Sequence, residues 1–136
     1  MSAPRVLIVD DNPLNIAIAQ VVLQAEKFEV DSALDGLEAL RKVASFRPDL
    51  ILMDIQMPGK DGLEVARDLK ADPATRHICI VAFTAFAMRG DEAKMLAAGC
   101  DGYLSKPIDV KKFGAQVRDC LQASISNGGD MLRPVG

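Results

Sequence analysis

The sequence predicts an α/β domain in which five parallel strands form one sheet, with five helices covering both of its faces. Two observations support this prediction. Strand and helix signals alternate five times along the chain, a pattern typical of parallel strands joined by helical crossovers. Two strand segments, LIVD and LILMD, are apolar almost throughout, as expected for strands that are buried on both faces.

Each predicted strand is a short segment, and a predicted helix follows it. The strand segments are residues 5–9, 28–33, 50–54, 78–84 and 101–105. The helical segments are residues 13–25, 35–46, 62–71, 91–98 and 109–123. We expect one domain over residues 1–123 and a flexible, glycine-rich tail over residues 124–136.

Capping residues and apolar spacing justify the helices. Asn12 precedes a proline at the first helical position, Asp35 and Glu38 have capping-box spacing, and Gly99 ends the fourth helix. In the first helix one face carries Leu14, Ile18, Val21, Val22 and Ala25, the arrangement typical of a helix packed on a core. The inward positions of the third helix are Leu63, Ala66 and Leu69. The apolar positions of the last are Val110, Phe113, Val117, Cys120 and Leu121.

Composition limits the classes of function. The net charge of −3 argues against nucleic acid as a partner. No apolar run reaches membrane-spanning length, and the first residues lack a signal peptide, so we expect a cytoplasmic protein. Three scattered cysteines without CxxC spacing are expected to be buried and not to form a zinc site or a redox pair.

Reactive side chains follow the predicted strands. Asp10 and Asp11 end the first strand, Asp54 ends the third, Thr84 ends the fourth, and Lys106 follows the fifth. The carboxyl ends of parallel strands meet at one edge of a sheet, where ligands bind. We therefore expect these five residues to converge, although each alone has a simpler explanation as a helix cap, turn residue or surface charge.

This combination of groups predicts phosphoryl transfer. Crowded carboxylates repel one another, and a hard divalent cation such as Mg²⁺ relieves that repulsion. The cation, Lys106 and the Thr84 hydroxyl would neutralise phosphoryl oxygens, and Asp54 is the candidate nucleophile.

Four motifs resemble the receiver domain of bacterial two-component response regulators, the CheY-like family. They are VLIVDDNPLN, LILMDIQMPGKDG, VAFTAF and GYLSKPID, within residues 4–123. The resemblance implies the flavodoxin-like strand order 2-1-3-4-5. It also implies that Asp54 is the phosphoacceptor and that Thr84 and Lys106 contact the phosphoryl group.

The resemblance further implies a metal site and a switch. Asp11 binds Mg²⁺ directly, Asp10 does so directly or through water, and the backbone carbonyl of Gln56 completes the protein ligands beside Asp54. Mn²⁺ is expected to substitute for Mg²⁺. Thr84 and Tyr103 match the family's switch residues.

Partners are also implied by the resemblance. The donor is a histidine kinase or a histidine phosphotransferase, and output passes to a downstream protein target, with no nucleic acid or membrane insertion and with the protein as a monomer. The run FTAFAMRGDEAKMLAAGCDGYLSKPI is similar to stand-alone cell-division regulators of the DivK type, which suggests a phosphorelay or cell-cycle role. Alternatives are an excised receiver module of a hybrid histidine kinase and a chemotaxis-type regulator.

Two other classes of protein compete with this interpretation. Haloacid-dehalogenase phosphatases also use an aspartyl nucleophile, but they need an acid two residues later, where this chain has Gln56. A flavodoxin-like cofactor module needs a phosphate-binding loop after the first strand, and Asp10 and Asp11 would repel phosphate there. We therefore expect a phosphoacceptor signalling protein and not an enzyme with turnover.

Overall fold

The strands and helices of the computed structural model closely follow the predicted alternation. The model describes residues 3–55, 62–84, 95–105, 108–127 and 133–134. The strands are β1 Arg5–Val9, β2 Glu29–Ala33, β3 Leu50–Asp54, β4 Cys79–Thr84, β5 Gly102–Ser105 and β6 Arg133–Pro134. The helices are α1 Pro13–Ala25, α2 Gly36–Phe46, α3 Gly62–Ala71, α4 (residues 95–97) and α5 Phe113–Asn127.

All strands of the sheet are parallel, and the predicted order 2-1-3-4-5 is confirmed. The two residues of β6 extend the sheet beyond β5 and were not predicted. The predicted boundary at residue 123 falls inside α5, because no glycine or proline occurs between residue 123 and Gly128 to end the helix. The other residues of the predicted flexible tail, 128–132 and 135–136, lie outside the described residues.

Two hydrophobic clusters, one on each face of the sheet, form the core. Alternate residues of β3 enter different clusters: Ile51 and Met53 join the side chains of α2 and α3, whereas Leu50 and Leu52 join those of α1 and α5. Every residue of β3 is buried. This burial on both faces explains why the segment is apolar at consecutive positions and not at alternate ones.

The predicted core-packed face of α1 is wrong except at Val22, which is partly buried against the core. Leu14 and Val21 are 66% and 68% exposed, and Ile18 is 37% exposed. The residues of α1 that are buried are Ile16, Ala19 and Leu23. Since α1 carries apolar residues on two faces, its spacing could not show which one packs on the sheet.

In α5 the predicted core face is confirmed except at its first position. Phe113, Val117, Cys120 and Leu121 are buried in the cluster that also contains α1. Val110 is 58% exposed, because α5 begins only at Phe113 and Val110 lies in the preceding turn. The aromatic ring of Phe113 packs against Phe83 of β4, with 6.1 Å between ring centroids.

The predicted caps of α1 and α2 are present. The Asn12 side chain accepts a hydrogen bond from the backbone N–H of Leu14 at 2.9 Å. Asp35 accepts from the N–H of Glu38 at 2.8 Å, and the Glu38 carboxylate accepts from the N–H of Leu34 at 2.8 Å. These bonds satisfy backbone donors that the first turn of a helix leaves unpaired.

All three cysteines are buried, as predicted, and none of them forms a disulfide. Burial raises the pKa of both Cys100 and Cys120 to about 12. The two thiols are therefore protonated at neutral pH and are poor nucleophiles. Among the described residues, no helix combines the length and apolarity needed to cross a bilayer.

A partly buried ion pair joins three elements at the amino-terminal edge of the sheet. Lys70, at the end of α3, donates to Asp101 at 2.8 Å and to the backbone carbonyls of Arg76 and Ile78 at 3.1 and 2.8 Å. Asp101 also accepts from the N–H of Ile80 at 2.8 Å. The pair thus links α3, the start of β4 and the residue before β5.

We expect the burial of this pair to make it important for stability. Lys70→Ala should lower the free energy of unfolding by about 3 kcal/mol, because the Asp101 side chain, 6% exposed, would lose its counter-ion. Lys42→Ala removes an equally short pair with Asp31 whose side chains are 33% and 38% exposed, and should cost less than about 1 kcal/mol. Urea unfolding measures both changes, and equal losses would contradict the expectation.

Candidate functional site

Three carboxylates meet at the carboxyl edge of the sheet. Asp10 directly follows β1, and Asp54 ends β3, whose preceding residue Met53 pairs with Val9 of β1. One carboxylate oxygen from each of Asp10, Asp11 and Asp54 lies within 4.8 Å of the others. The predicted acidic cluster is therefore present in the fold.

Two of the three acids are buried, which is costly for charged groups that lack partners. Asp10 is 1% exposed and Asp54 is 3% exposed, whereas Asp11 is exposed. The carboxylate of Asp10 accepts hydrogen bonds from the backbone N–H of Asn12 at 2.9 Å and from the Asn15 side chain at 3.3 Å. These bonds hold Asp10 in place and leave Asp11 as the solvent-facing member of the cluster.

The contribution of Asn15 was missed in the sequence. Its amide comes from the first turn of α1 and reaches back to Asp10, five residues earlier. The sequence feature that could have indicated this role is that Asn15 is a polar residue within the otherwise apolar first turns of α1. An amide there neither carries charge nor binds a hard cation strongly, so composition alone did not suggest a role for it.

The donor set suits a hard divalent cation. Carboxylate oxygens are the ligands that Mg²⁺ and Mn²⁺ prefer, and a small cluster leaves positions for water. The cluster combines buried, hydrogen-bonded acids with one exposed acid, so a cation could reach it from solvent. The chemistry and spacing of these residues fit such an ion.

Gly62 packs directly behind the end of β3. A Cβ atom at this position would lie 2.8 Å from Met53 Cγ and 2.9 Å from Ile55 Cα, and it would overlap the backbone carbonyl oxygen of Asp54. Only glycine therefore allows α3 to start this close to Asp54. The contact helps to fix the main chain that carries the Asp54 carboxylate.

The other predicted site residues are described only in part. Thr84 ends β4, one residue beyond the partner of Asp54 in the sheet, but its side chain lies outside the described part of the chain. Gln56 and Lys106 lie outside the described residues. Tyr103 pairs with Ala82 of β4, is 9% exposed, and packs in the cluster that contains α2 and α3.

Comparison with known proteins identifies a family. A family model described as the response regulator receiver domain matches residues 6–118. The polar-differentiation response regulator DivK of Brucella anthropi is 47% identical over 116 residues, which cover 85% of this chain and 94% of that protein.

Solved structures agree with the sequence comparison. A putative response regulator from Chloroflexus aurantiacus has a TM-score of 0.83 and 28% identity, covering 89% of this chain and 99% of that one. The chemotaxis response regulator CheY4 of Vibrio cholerae has a TM-score of 0.82 and 27% identity, covering 88% and 99% of the two chains.

Unequal effects are expected when each of two buried glycines is replaced by alanine. Gly62→Ala should lower the free energy of unfolding by about 1 to 3 kcal/mol, because the methyl group meets rigid backbone. Gly114→Ala would meet the side chain of Glu26, which is 46% exposed and can move, and it gains helix propensity, so it should cost less than Gly62→Ala. Urea unfolding compares them, and a neutral Gly62→Ala would disprove the close packing.

Proposed function

The chain belongs to the response regulator receiver family, and we propose that it acts as a response regulator that is phosphorylated on Asp54. A phosphohistidine on a partner histidine kinase or phosphotransferase is the donor. The observation that carries the proposal is the position of Asp54, 3% exposed at the end of a central strand and within 4.8 Å of two further carboxylates.

The proposed reaction is an in-line exchange of one bond for another. A carboxylate oxygen of Asp54 forms a bond to phosphorus as the phosphorus–nitrogen bond of the donor breaks, and the departing imidazole keeps the electron pair and takes up a proton. The rigid strand holds Asp54 in position for this attack. We assign Thr84 and Lys106 to the phosphoryl oxygens, as hydroxyl donor and as cation.

Asp10, Asp11, Asp54 and the backbone carbonyl of Gln56 are the proposed ligands of Mg²⁺, with Mn²⁺ as a substitute. A bound cation supplies positive charge that offsets the repulsion between the acidic cluster and the incoming phosphoryl group. The hydrogen bonds from Asn12 and Asn15 keep the buried Asp10 oriented for this role. Asp11, being exposed, is the first carboxylate that an arriving cation would meet.

We propose that phosphorylation shifts the protein between two conformations through Thr84 and Tyr103. The phosphoryl group adds about 1.5 to 2 negative charges beside Asp54, and Thr84 responds by moving toward it. Tyr103 lies on β5, next to β4, so a change at the end of β4 reaches it through directly paired strands. The result is an altered surface for a downstream protein target.

A face of α1 supports the assignment of a protein partner. Leu14, Ile18 and Val21 are exposed and follow one another at helical spacing, starting in the turn next to the acidic cluster. An exposed apolar stripe of this kind fits the apolar face of a partner helix. We propose that the phosphohistidine-bearing protein docks here, with this chain acting as a cytoplasmic monomer.

The biological role is proposed from the curated relative. The 47% identity to DivK, compared with 27% to CheY4, favours a phosphorelay role in cell-division or polarity control over chemotaxis. We expect no turnover of phosphomonoesters, because Gln56 stands two residues after Asp54, where an acid/base is needed.

Binding of Mg²⁺ is expected to stabilise the folded chain, since the unfolded chain lacks the assembled carboxylates. Asp11→Asn should weaken binding at least about tenfold, the smallest loss usual even for outer-shell partners of a metal. Asp119→Asn, an exposed acid on α5, removes the same charge outside the cluster and serves as the control. Thermal unfolding with increasing Mg²⁺ measures the affinity; equal responses of the two variants would contradict the assignment.

Asp54→Asn is expected to abolish incorporation of acid-labile and base-labile phosphate, because an amide oxygen cannot form the acyl phosphate. Asp49→Asn changes an exposed acid at the other end of the same strand and should leave incorporation intact. Labelling with acetyl phosphate and Mg²⁺, followed by mass spectrometry, gives the result. Full incorporation into Asp54→Asn at another residue would refute the proposed acceptor.

A further inference from the structure

Exposed leucines gather at the end of the sheet that carries the acidic cluster. Leu34, between β2 and α2, is 49% exposed, and Leu37, in the first turn of α2, is 64% exposed. Leu14, in the first turn of α1, is 66% exposed. Single exposed leucines are ordinary, but several beside a reactive site are typical of an interaction surface.

Leu34 and Leu37 lie next to the cluster on the side away from α1. The backbone N–H of Asp10 donates to the carbonyl of Ala33 at 3.1 Å, so Leu34 directly follows a residue bonded to the site. The helices α1 and α2 pack on opposite faces of the sheet. Leu14 and the pair Leu34–Leu37 therefore flank the acids from both faces.

The two leucines are held in place without being covered. Glu38 accepts from the N–H of Leu34, and Asp35 accepts from the N–H of Glu38, both at 2.8 Å. A residue in the position of Leu34 often packs against the fourth helical residue, but here that residue is Ala39, which is fully buried and too small to cover it. The pair is thus a rigid apolar projection that requires no folding on binding.

We infer that Leu34 and Leu37 form a second docking element for the helix that presents the phosphohistidine, an inference that rests on the proposed function. Both follow β2, the strand beside β1, at the same end of the sheet as Leu14 and the acids. Asp35, which lies beside Leu34 in the chain and two residues before Leu37, is exposed and gives this patch a negative charge. The structure therefore fits a partner helix that combines apolar residues with Lys or Arg near its histidine.

A double substitution tests the docking role separately from the chemistry. Leu34→Ser with Leu37→Ser should lower kcat/KM for transfer from a phosphorylated histidine kinase by about tenfold or more. The rate with acetyl phosphate should not change, because that small donor needs no docking surface. The kinase used is the one that labels the wild-type chain fastest in a screen of purified kinases.

The control is Leu96→Ser. Leu96 is 54% exposed in α4, just before β5, and three strands separate β5 from β2 in the sheet. The substitution should therefore affect transfer from neither donor.

Unchanged kinase transfer in the double variant would overturn the inference, as would an equal loss with both donors. The leucines would be assigned to self-association, against the inference, if the wild type were a dimer and the double variant were a monomer with normal transfer. Failure of acetyl phosphate to label wild-type Asp54 would instead refute the proposed function itself.

Discussion

Two carboxylates buried at the ends of adjacent strands are the constraint on which the rest of the structure depends. Asp10 and Asp54 are almost inaccessible to solvent, and a charge in that setting is tolerated only with partners. Asn12 and Asn15 supply hydrogen bonds to Asp10, and Gly62 allows α3 to approach the main chain of Asp54. The asparagines are therefore explained by the buried charge of Asp10, and the glycine by the space that the main chain of Asp54 leaves for α3.

The sheet makes this arrangement rigid. Because β3 is covered on both faces, Asp54 is attached to a strand that is buried at every residue, and its position does not depend on a loop. At the opposite edge, Lys70 and Asp101 tie α3 to the starts of β4 and β5. A change of charge at the carboxyl edge therefore acts on β4 and β5, whose amino-terminal ends are held by this ion pair.

The apolar residues of α1 and α2 divide between the core and the exposed surface. Both faces of α1 are apolar, and only the face with Ile16, Ala19 and Leu23 packs on the sheet. The other face and the leucines before and within α2 lie beside the acids. A receiver that must admit a large protein donor to a buried acid needs such a surface, because docking energy has to position a donor that the small site alone cannot hold.

The sequence by itself determined the alternation of strands and helices, the caps at Asn12 and Asp35, and the placement of Asp10, Asp11 and Asp54 at strand ends, because short-range spacing specifies each of them. It did not determine which face of α1 is buried, since both have helical spacing, or that α5 continues to Asn127. The Lys70–Asp101 pair, which joins residues 31 positions apart, was decided by the tertiary structure alone. Contacts of this kind depend on how the helices lie on the sheet, and no local pattern of residues encodes that.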